Sequence, residues 1–301
     1  LDEVGHRVGM KRRIHQSPAT GRLMRISHQT ADGSEAFVHE VPQFGLGVFL
    51  MTAEDECKTS VLAALEAGYT HIDTASMYNN EREVGQALKH ANIERQSVFI
   101  TTKLRRGHAV GYEDTIEHCK QSLALLDSEY IDLYLVHAPP VDPEHRAPVW
   151  KAMEYCLEQG WVKAIGVSNY GAAHLEAMKE YATYMPCVNQ VEYNPWLQRP
   201  QLKQATEDAG ARLMAYSPLA RGHKVDDPRL GEIATRLNCT PAQVAIKFCY
   251  DQGCITIPKS SNPKRIIENI ASLNIDISSE MEAIIALDEN YISGWDPTSE
   301  L

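Results

Sequence analysis

The chain contains no apolar run approaching 18 residues, so no segment reads as a membrane-spanning helix. It also lacks an excess of positive charge: 29 Lys and Arg stand against 40 Asp and Glu, a formal net charge of −11. That argues against a nucleic-acid binder, which presents a basic face. No two of its seven cysteines have C-x-x-C spacing, and the count is odd. The closest pair, Cys249 and Cys254, has no nearby His to complete a metal site. The cysteines read as reduced thiols of a cytoplasmic protein without a metal centre. A full G-x-G-x-x-G is missing too. Gly45-Leu46-Gly47-Val48-Phe49-Leu50 comes nearest and lacks the third Gly, which argues against a doubly wound dinucleotide-binding sheet. There is no domain linker, internal repeat or low-complexity stretch.

What is present suits one large domain. At 44% hydrophobic, 301 residues can build a sizeable core. The first 25 residues differ, carrying Arg7, Lys11, Arg12, Arg13, Arg22 and Arg25 against Asp2 and Glu3. Residues 1–21 read as a flexible basic arm, with an organelle-targeting segment as the alternative, and 22–301 as a single domain. The last residues, Ser299-Glu300-Leu301, are not the Ser-Lys-Leu peroxisomal address.

A hairpin is predicted first: Leu23–His28, a turn at Asp32-Gly33, then Ala36–Val41. Short apolar runs follow at Phe44–Phe49, Thr70–Asp73, Val98–Thr102, Ile131–Val136, Ala164–Val167, Cys187–Val191, Arg212–Tyr216 and Cys254–Ile257. Such runs suit strands buried on both faces. Helical patterns fall between and after them at Glu54–Ala67, Glu81–Lys89, Tyr112–Leu126, Val149–Gln159, Ala172–Tyr181, Pro200–Ala209, Pro241–Tyr250 and Pro263–Ile270. Gly68, Gly160 and Gly210 sit where C-terminal caps belong, and Thr240-Pro241 and Asn262-Pro263 read as N-cap then proline. The alternation fits a (β/α)8 TIM barrel, its bottom closed by the N-terminal hairpin, with an extra helix at Ser279–Asp288 and an extended tail from Glu289.

Three strand candidates end on polar residues. His71-Ile72-Asp73 leads through Thr74-Ala75-Ser76-Met77 to Tyr78, Val98–Thr102 runs into Lys103, and Ile131–Val136 runs into His137. In a barrel these ends gather at one mouth, where active sites sit. A tyrosine in water has a pKa of about 10. Lys103 beside Tyr78 is expected to lower it, with Asp73 holding Lys103 charged and His137 aligning a substrate carbonyl. Together they would protonate an oxygen that is gaining negative charge. Singly, Asp73 reads more readily as a helix cap, His137 as a core histidine, Lys103 as a surface lysine and Tyr78 as packing; the four together at three consecutive strand ends point to a site.

Asp73-Thr74-Ala75-x-x-Tyr78-x-Asn80-Glu81, Ile100-Thr101-Thr102-Lys103-Leu104 and Asp132-Leu133-Tyr134-Leu135-x-His137 resemble the signature segments of the aldo-keto reductase superfamily, from about Leu23 to about Pro297. The resemblance implies a (β/α)8 barrel that reduces aldehydes or ketones with NADPH. Tyr78 would be the general acid, Lys103 and Asp73 would tune it, and His137 would orient the carbonyl. Gly166-Val167-Ser168-Asn169 and Asn189-Gln190-Val191-Glu192 resemble the strand ends that hold the nicotinamide carboxamide, through Ser168, Asn169 and Gln190. Tyr216 resembles the ring that stacks on nicotinamide, with Ser217 and Leu219 approaching the pyrophosphate. In Ile257-Pro258-Lys259-Ser260-Ser261-Asn262-Pro263-Lys264-Arg265-Ile266-Ile267-Glu268-Asn269, the residues Lys259, Ser260 and Arg265 would hold the adenosine 2′-phosphate, and Glu268 and Asn269 would face the adenine edge. Two cations there favour NADPH over NADH.

The chain departs from its relatives at Phe49 and Ala138, where they usually carry tryptophans that line the substrate pocket. Phe49, Ala138 and Trp196, with Met77, Tyr193 and Trp295, are the expected walls. The short segment Leu219–Asp227 resembles the compact diketogluconate reductases and prostaglandin F synthases. A monomer acting on a small carbonyl compound, with no nucleic-acid or membrane partner, is expected. The alternative is an NADP(H)-binding sensing module with little turnover; a barrel lyase or isomerase using Lys103 as a Schiff base fails on the cofactor segments.

Overall fold

The computed structural model describes residues 11–13, 21–53, 55–105 and 111–299. Strands β1 (Leu23–Gln29) and β2 (Glu35–Pro42) pair antiparallel, and the turn between them holds Asp32 and Gly33. Eight parallel strands follow in sequence order: β3 (Leu46–Gly47), β4 (His71–Asp73), β5 (Phe99–Leu104), β6 (Ile131–Val136), β7 (Val162–Ser168), β8 (Val188–Glu192), β9 (Arg212–Tyr216) and β10 (Ile255–Ile257). Parallel bridges from Phe44 to Thr256 and from Gly47 to Lys259 join the first strand to the last, so the sheet closes into a barrel.

The expected strand Phe44–Phe49 is shorter in the structure, Leu46–Gly47, with Gly45 and Gly47 donating their N–H groups to Thr256 O and Pro258 O across the closure. Gly45 also packs against the His71 ring and Gly47 lies beside the Ile257 carbonyl, closeness that leaves little or no room for a Cβ.

Helices α1 (Glu56–Glu66), α2 (Glu81–His90), α3 (Tyr112–Leu126), α4 (Arg146–Glu158), α5 (Ala172–Met178), α6 (Pro200–Asp208), α7 (Pro228–Arg236), α8 (Pro241–Asp251) and α9 (Pro263–Ala271) surround the strands, and α10 (Met281–Ile285) follows. Of these, α7 was not anticipated. Asp227 caps it by accepting from the Arg229 N–H, Pro228 occupies its first turn, and Leu230, Ile233 and Ala234 bury its inner face. Asn262 caps α9 in the same way, accepting from the N–H groups of Lys264 and Arg265.

Strand side chains alternate between the barrel interior and the helix layer. On β6, Leu133 and Leu135 point inward, while Tyr134 and Val136 meet the helices. The inward set includes Phe99, Ala164, Val188, Met214, Ile255 and Ile257, and the hairpin residues Ile26 and Val41 pack against it from below. Buried His28 fastens the hairpin: its Nδ1 meets Met185 O at 2.8 Å and its Nε2 accepts from the Ile165 N–H. The hairpin therefore plugs the amino-terminal end and leaves the carboxyl-terminal end as the mouth.

Of the expected basic arm, residues 11–13 are described: Arg12 bridges to Ile93 and Arg13 pairs with Glu94 at 2.8 Å. The remainder of residues 1–21 apart from Gly21 lies outside the described residues. Among the described residues no helix is long and apolar enough to cross a membrane. All seven thiols are free, six of them buried.

Candidate active site

The inward alternation that stacks Phe99 and Leu135 in the barrel also carries Lys103 and His137 to the mouth, four and two residues further along. Asp73 follows His71 by the same step of two on β4. The three strand ends meet. The Lys103 ammonium donates to Asp73 Oδ1 at 2.6 Å, to Thr74 O at 2.8 Å and to the Tyr78 hydroxyl at 3.4 Å. Three N–H donors thus have three acceptors, the full complement of a charged lysine. Lys103 is wholly buried and Asp73 is 3% exposed. Burial pushes the Lys103 ammonium down and the Asp73 carboxyl up, and each charge opposes the shift of the other.

Tyr78 lies on the short turn Ser76–Tyr78 beyond β4, half-buried. Asn80 pins this turn: its side chain donates to Val48 O and accepts from Thr74 Oγ1 at 2.7 Å. Ser76 donates to Lys103 O at 2.9 Å. The Tyr78 ring meets His137 edge-on at 5.6 Å and Phe49 at 4.9 Å. The expected lowering of the Tyr78 pKa is not what the structure shows. Burial, then the Asp73 charge, push the phenol well above its ordinary value, with Arg221 opposing. Lys103 lies beside the phenol, but Asp73 offsets its charge. The phenol is therefore held protonated, the state a proton donor needs.

Ser168, Asn169 and Gln190 are buried and bonded among themselves. Ser168 Oγ donates to Gln190 O, and Asn169 Nδ2 donates to His137 O and to Ser168 Oγ, each at 3.0 Å. The Tyr216 hydroxyl donates to Asn169 Oδ1 at 2.9 Å. Gln190 has a further link that its sequence position did not signal: its amide donates to Asp73 Oδ2 at 2.7 Å, holding the carboxylate that holds Lys103. The Tyr216 ring is half-buried, and Ser217 beyond it adopts a left-handed backbone with φ of 50°. Leu219 packs half-buried under the same turn.

In the β10–α9 turn Lys259 and Arg265 are exposed, while Ser260 is buried with its hydroxyl accepting from the Asn262 N–H. Glu268 accepts from Thr240 at the cap of α8 and Asn269 is buried. This donor set fits a dinucleotide with an extra phosphate. Exposed cations stand at a helix start, and amide groups at β7 and β8 have donors and acceptors for a carboxamide.

The walls divide. Phe49, Met77 and Trp295 are each about two-fifths exposed around the mouth. Trp196 and Tyr193 are not walls. Trp196 is 0% exposed and donates its indole N–H to Asp227 at 2.9 Å, and Tyr193 stacks on Phe248 in the core. Their rings turn toward α7 and α8, away from the mouth. Ala138 is also buried and offers little surface. The tail beyond α10 is tied to the segments that follow β7, β8 and β9. Ser293 binds the buried Glu192 carboxylate, and Arg199 holds Asp296 at 3.0 Å and Thr298 at 2.9 Å.

Comparison with known proteins agrees with this fold. The Aldo/keto reductase family profile matches residues 44–287. The glyoxal reductase of Bacillus subtilis is 39% identical over 259 residues, covering 86% of this chain and 93% of that protein. The 9,11-endoperoxide prostaglandin H2 reductase of Trypanosoma cruzi is 40% identical over 261 residues, covering 85% and 91%. The crystal structure of the Gox0644 D53A mutant in complex with NADPH superposes with a TM-score of 0.82 at 35% identity, covering 93% of this chain and 99% of that one.

Proposed function

This chain belongs to the aldo/keto reductase family, and from that premise we propose that it reduces aldehyde or ketone carbonyls to alcohols with NADPH, Tyr78 serving as general acid. The observation that carries the proposal is the buried Asp73–Lys103 pair behind a half-buried phenol. The acid is fixed by three strand ends and opens toward the barrel mouth.

NADPH supplies the hydride when bound. Ser168, Asn169 and Gln190 orient its carboxamide, Tyr216 offers a ring face, and Lys259, Ser260 and Arg265 hold its 2′-phosphate. The Tyr78 hydroxyl gives its proton to the carbonyl oxygen as that oxygen gains an electron pair. Lys103, at 3.4 Å, then faces the phenolate and stabilises it until solvent returns a proton. His137, edge-on to Tyr78, aligns the carbonyl. Phe49, Met77 and Trp295 enclose an open mouth suited to small carbonyls, so glyoxal and methylglyoxal head the list of substrates to try.

The test is NADPH oxidation over a panel of glyoxals, aliphatic and aromatic aldehydes, sugars, quinones and endoperoxides. Turnover of at least one aldehyde is expected. Tyr78→Phe should lower kcat by about 10²–10⁴ while the NADPH dissociation constant holds. Equal loss of both would remove Tyr78 from its role, and tight NADPH binding without turnover of any substrate would make the chain a sensing module instead.

A further inference from the structure

Glu192 ends the Asn189-Gln190-Val191-Glu192 segment, and the function proposed above gives it no part. It closes β8 beyond Gln190 and is 2% exposed. Its carboxylate holds the tail: Oε1 accepts from the Ser293 hydroxyl and from the Ser293 N–H at 3.2 Å, and Oε2 lies 3.3 Å from the same N–H. Asn194 is wholly buried, and its Nδ2 lies 3.5 Å from Glu192 Oε1 and 3.3 Å from Ser217 O. A second contact joins the tail to the turn that Ser217 begins. The Arg221 guanidinium rests on Gly294, too close for a Cβ there. The tail and the turn after β9 are therefore joined twice, and a buried carboxylate forms the middle of one joint. A carboxylate removed from water needs donors, and Ser293 and Asn194 supply them.

We infer that Glu192 is a positioning residue that joins carbonyl fit to cofactor affinity: it seats the tail that carries Trp295 and, through Asn194, the Ser217 turn. This rests on the function proposed above, with Trp295 a wall of the carbonyl site and Ser217 beside the pyrophosphate. Arg199 holds Asp296 and Thr298, and Trp196 O accepts from the Tyr291 N–H at 2.9 Å. Loss of the Glu192 bonds therefore frees residues 293–295 between two fixed points instead of detaching the tail. The proton donor does not depend on this carboxylate, because Gln190 and Lys103 hold Asp73. Loosening Glu192 weakens both ligands and leaves the chemistry in place.

Wild type, Glu192→Leu, Glu192→Gln and Ser293→Ala are compared in steady-state reduction of methylglyoxal and phenylglyoxal, in calorimetric titration with NADPH, and in acrylamide quenching of tryptophan fluorescence with Trp295→Phe as the reference. Glu192→Leu removes the acceptors. It should raise the phenylglyoxal KM and the NADPH dissociation constant about three- to tenfold each, while kcat for methylglyoxal holds within about twofold. Ser293→Ala cuts the tail bond alone and should raise the KM and leave NADPH binding unchanged. Both variants should expose Trp295 to the quencher. Glu192→Gln keeps an acceptor on Oε1 and should restore most of the wild-type values. Unchanged KM and NADPH affinity in Glu192→Leu, or a loss confined to kcat, overturns the inference. So does a loss in Glu192→Gln as large as in Glu192→Leu. Should Glu192→Leu fail to fold, Ser293→Ala decides: unaltered KM and unaltered quenching overturn the inference. A wild type that reduces neither aldehyde nor any other carbonyl removes the proposed function, and the inference with it.

Discussion

Replacing Lys103 by Met isolates what the buried ion pair does. Met fills much the same volume and removes the ammonium. Asp73, 3% exposed, then keeps the Gln190 amide at 2.7 Å on its second oxygen but loses the charge that matched its own. Leaving one member of a buried pair uncompensated costs about 3–5 kcal/mol. The pH dependence gives a second handle. Burial already raises the Asp73 carboxyl in the intact chain, with Lys103 opposing. Without Lys103 the folded-state pKa rises further above its unfolded value of about 3.9. A group raised on folding contributes fully below its unfolded pKa and loses that contribution as pH rises through the folded one. The deficit of Lys103→Met should therefore be small near pH 4 and grow by up to about 1.4 kcal/mol per pH unit until the folded-state pKa is passed. Urea unfolding followed by tryptophan fluorescence at several pH values reads both quantities. Asp73→Asn combined with Lys103→Met should recover about 2–3 kcal/mol relative to additive single losses. A Lys103→Met deficit below about 1 kcal/mol, or one that does not change between pH 4 and 8, would refute the picture of a dry, mutually compensated pair.

Two further outcomes concern the fold. His28 is held neutral, chiefly by burial, with its pKa lowered to about 4. A histidine lowered on folding stabilises above its unfolded pKa of about 6.5 and loses that as pH falls toward 4. Acid should thus remove about 3 kcal/mol through this residue, and His28→Leu should be less stable at neutral pH yet show a flatter acid limb in urea midpoints. An acid limb as steep as in wild type would assign the loss elsewhere. Gly85 brings α2 against the Leu126 carbonyl at the end of α3, too close for a Cβ. Gly85→Ala should cost about 1–3 kcal/mol in thermal or urea unfolding although alanine is the better helix former, and a stabilised variant would contradict that contact.

Much of the fold was legible because apolar run length and turn chemistry agree. Ile131–Val136, Arg212–Tyr216 and Tyr112–Leu126 end where the sequence places them. Gly68, Gly160 and Gly210 all adopt the positive φ their cap positions require. What the sequence hid were directions and balances. Trp196 and Tyr193 follow a strand that ends at the mouth, yet they turn into the core, and nothing in a one-dimensional pattern separates those orientations. The α7 helix had a readable signal in Asp227-Pro228, the same cap-then-proline pair recognised at Thr240-Pro241 and Asn262-Pro263. The sign of the Tyr78 shift was out of reach, since it depends on burial and the Asp73 charge outweighing Arg221.

In the proposed reading, the site's chemistry and its selectivity occupy different parts of the chain, with different tolerance to change. Asp73, Lys103, His137, Ser168 and Gln190 belong to the inward-facing set of their strands or continue it, on top of buried apolar rungs. A one-residue slip in β5 would send Lys103 outward to α2 and bring in Thr102, which now binds Glu81 on the helix side. Register is therefore under double constraint, from the core below and from the charges above. Phe49, Met77 and Trp295 lie on loops, a short turn or the tail, where a changed side chain alters no strand register. Substitution there should move carbonyl choice while the proposed proton donor stays in place. That is the separation the paired readouts of turnover and binding are chosen to detect.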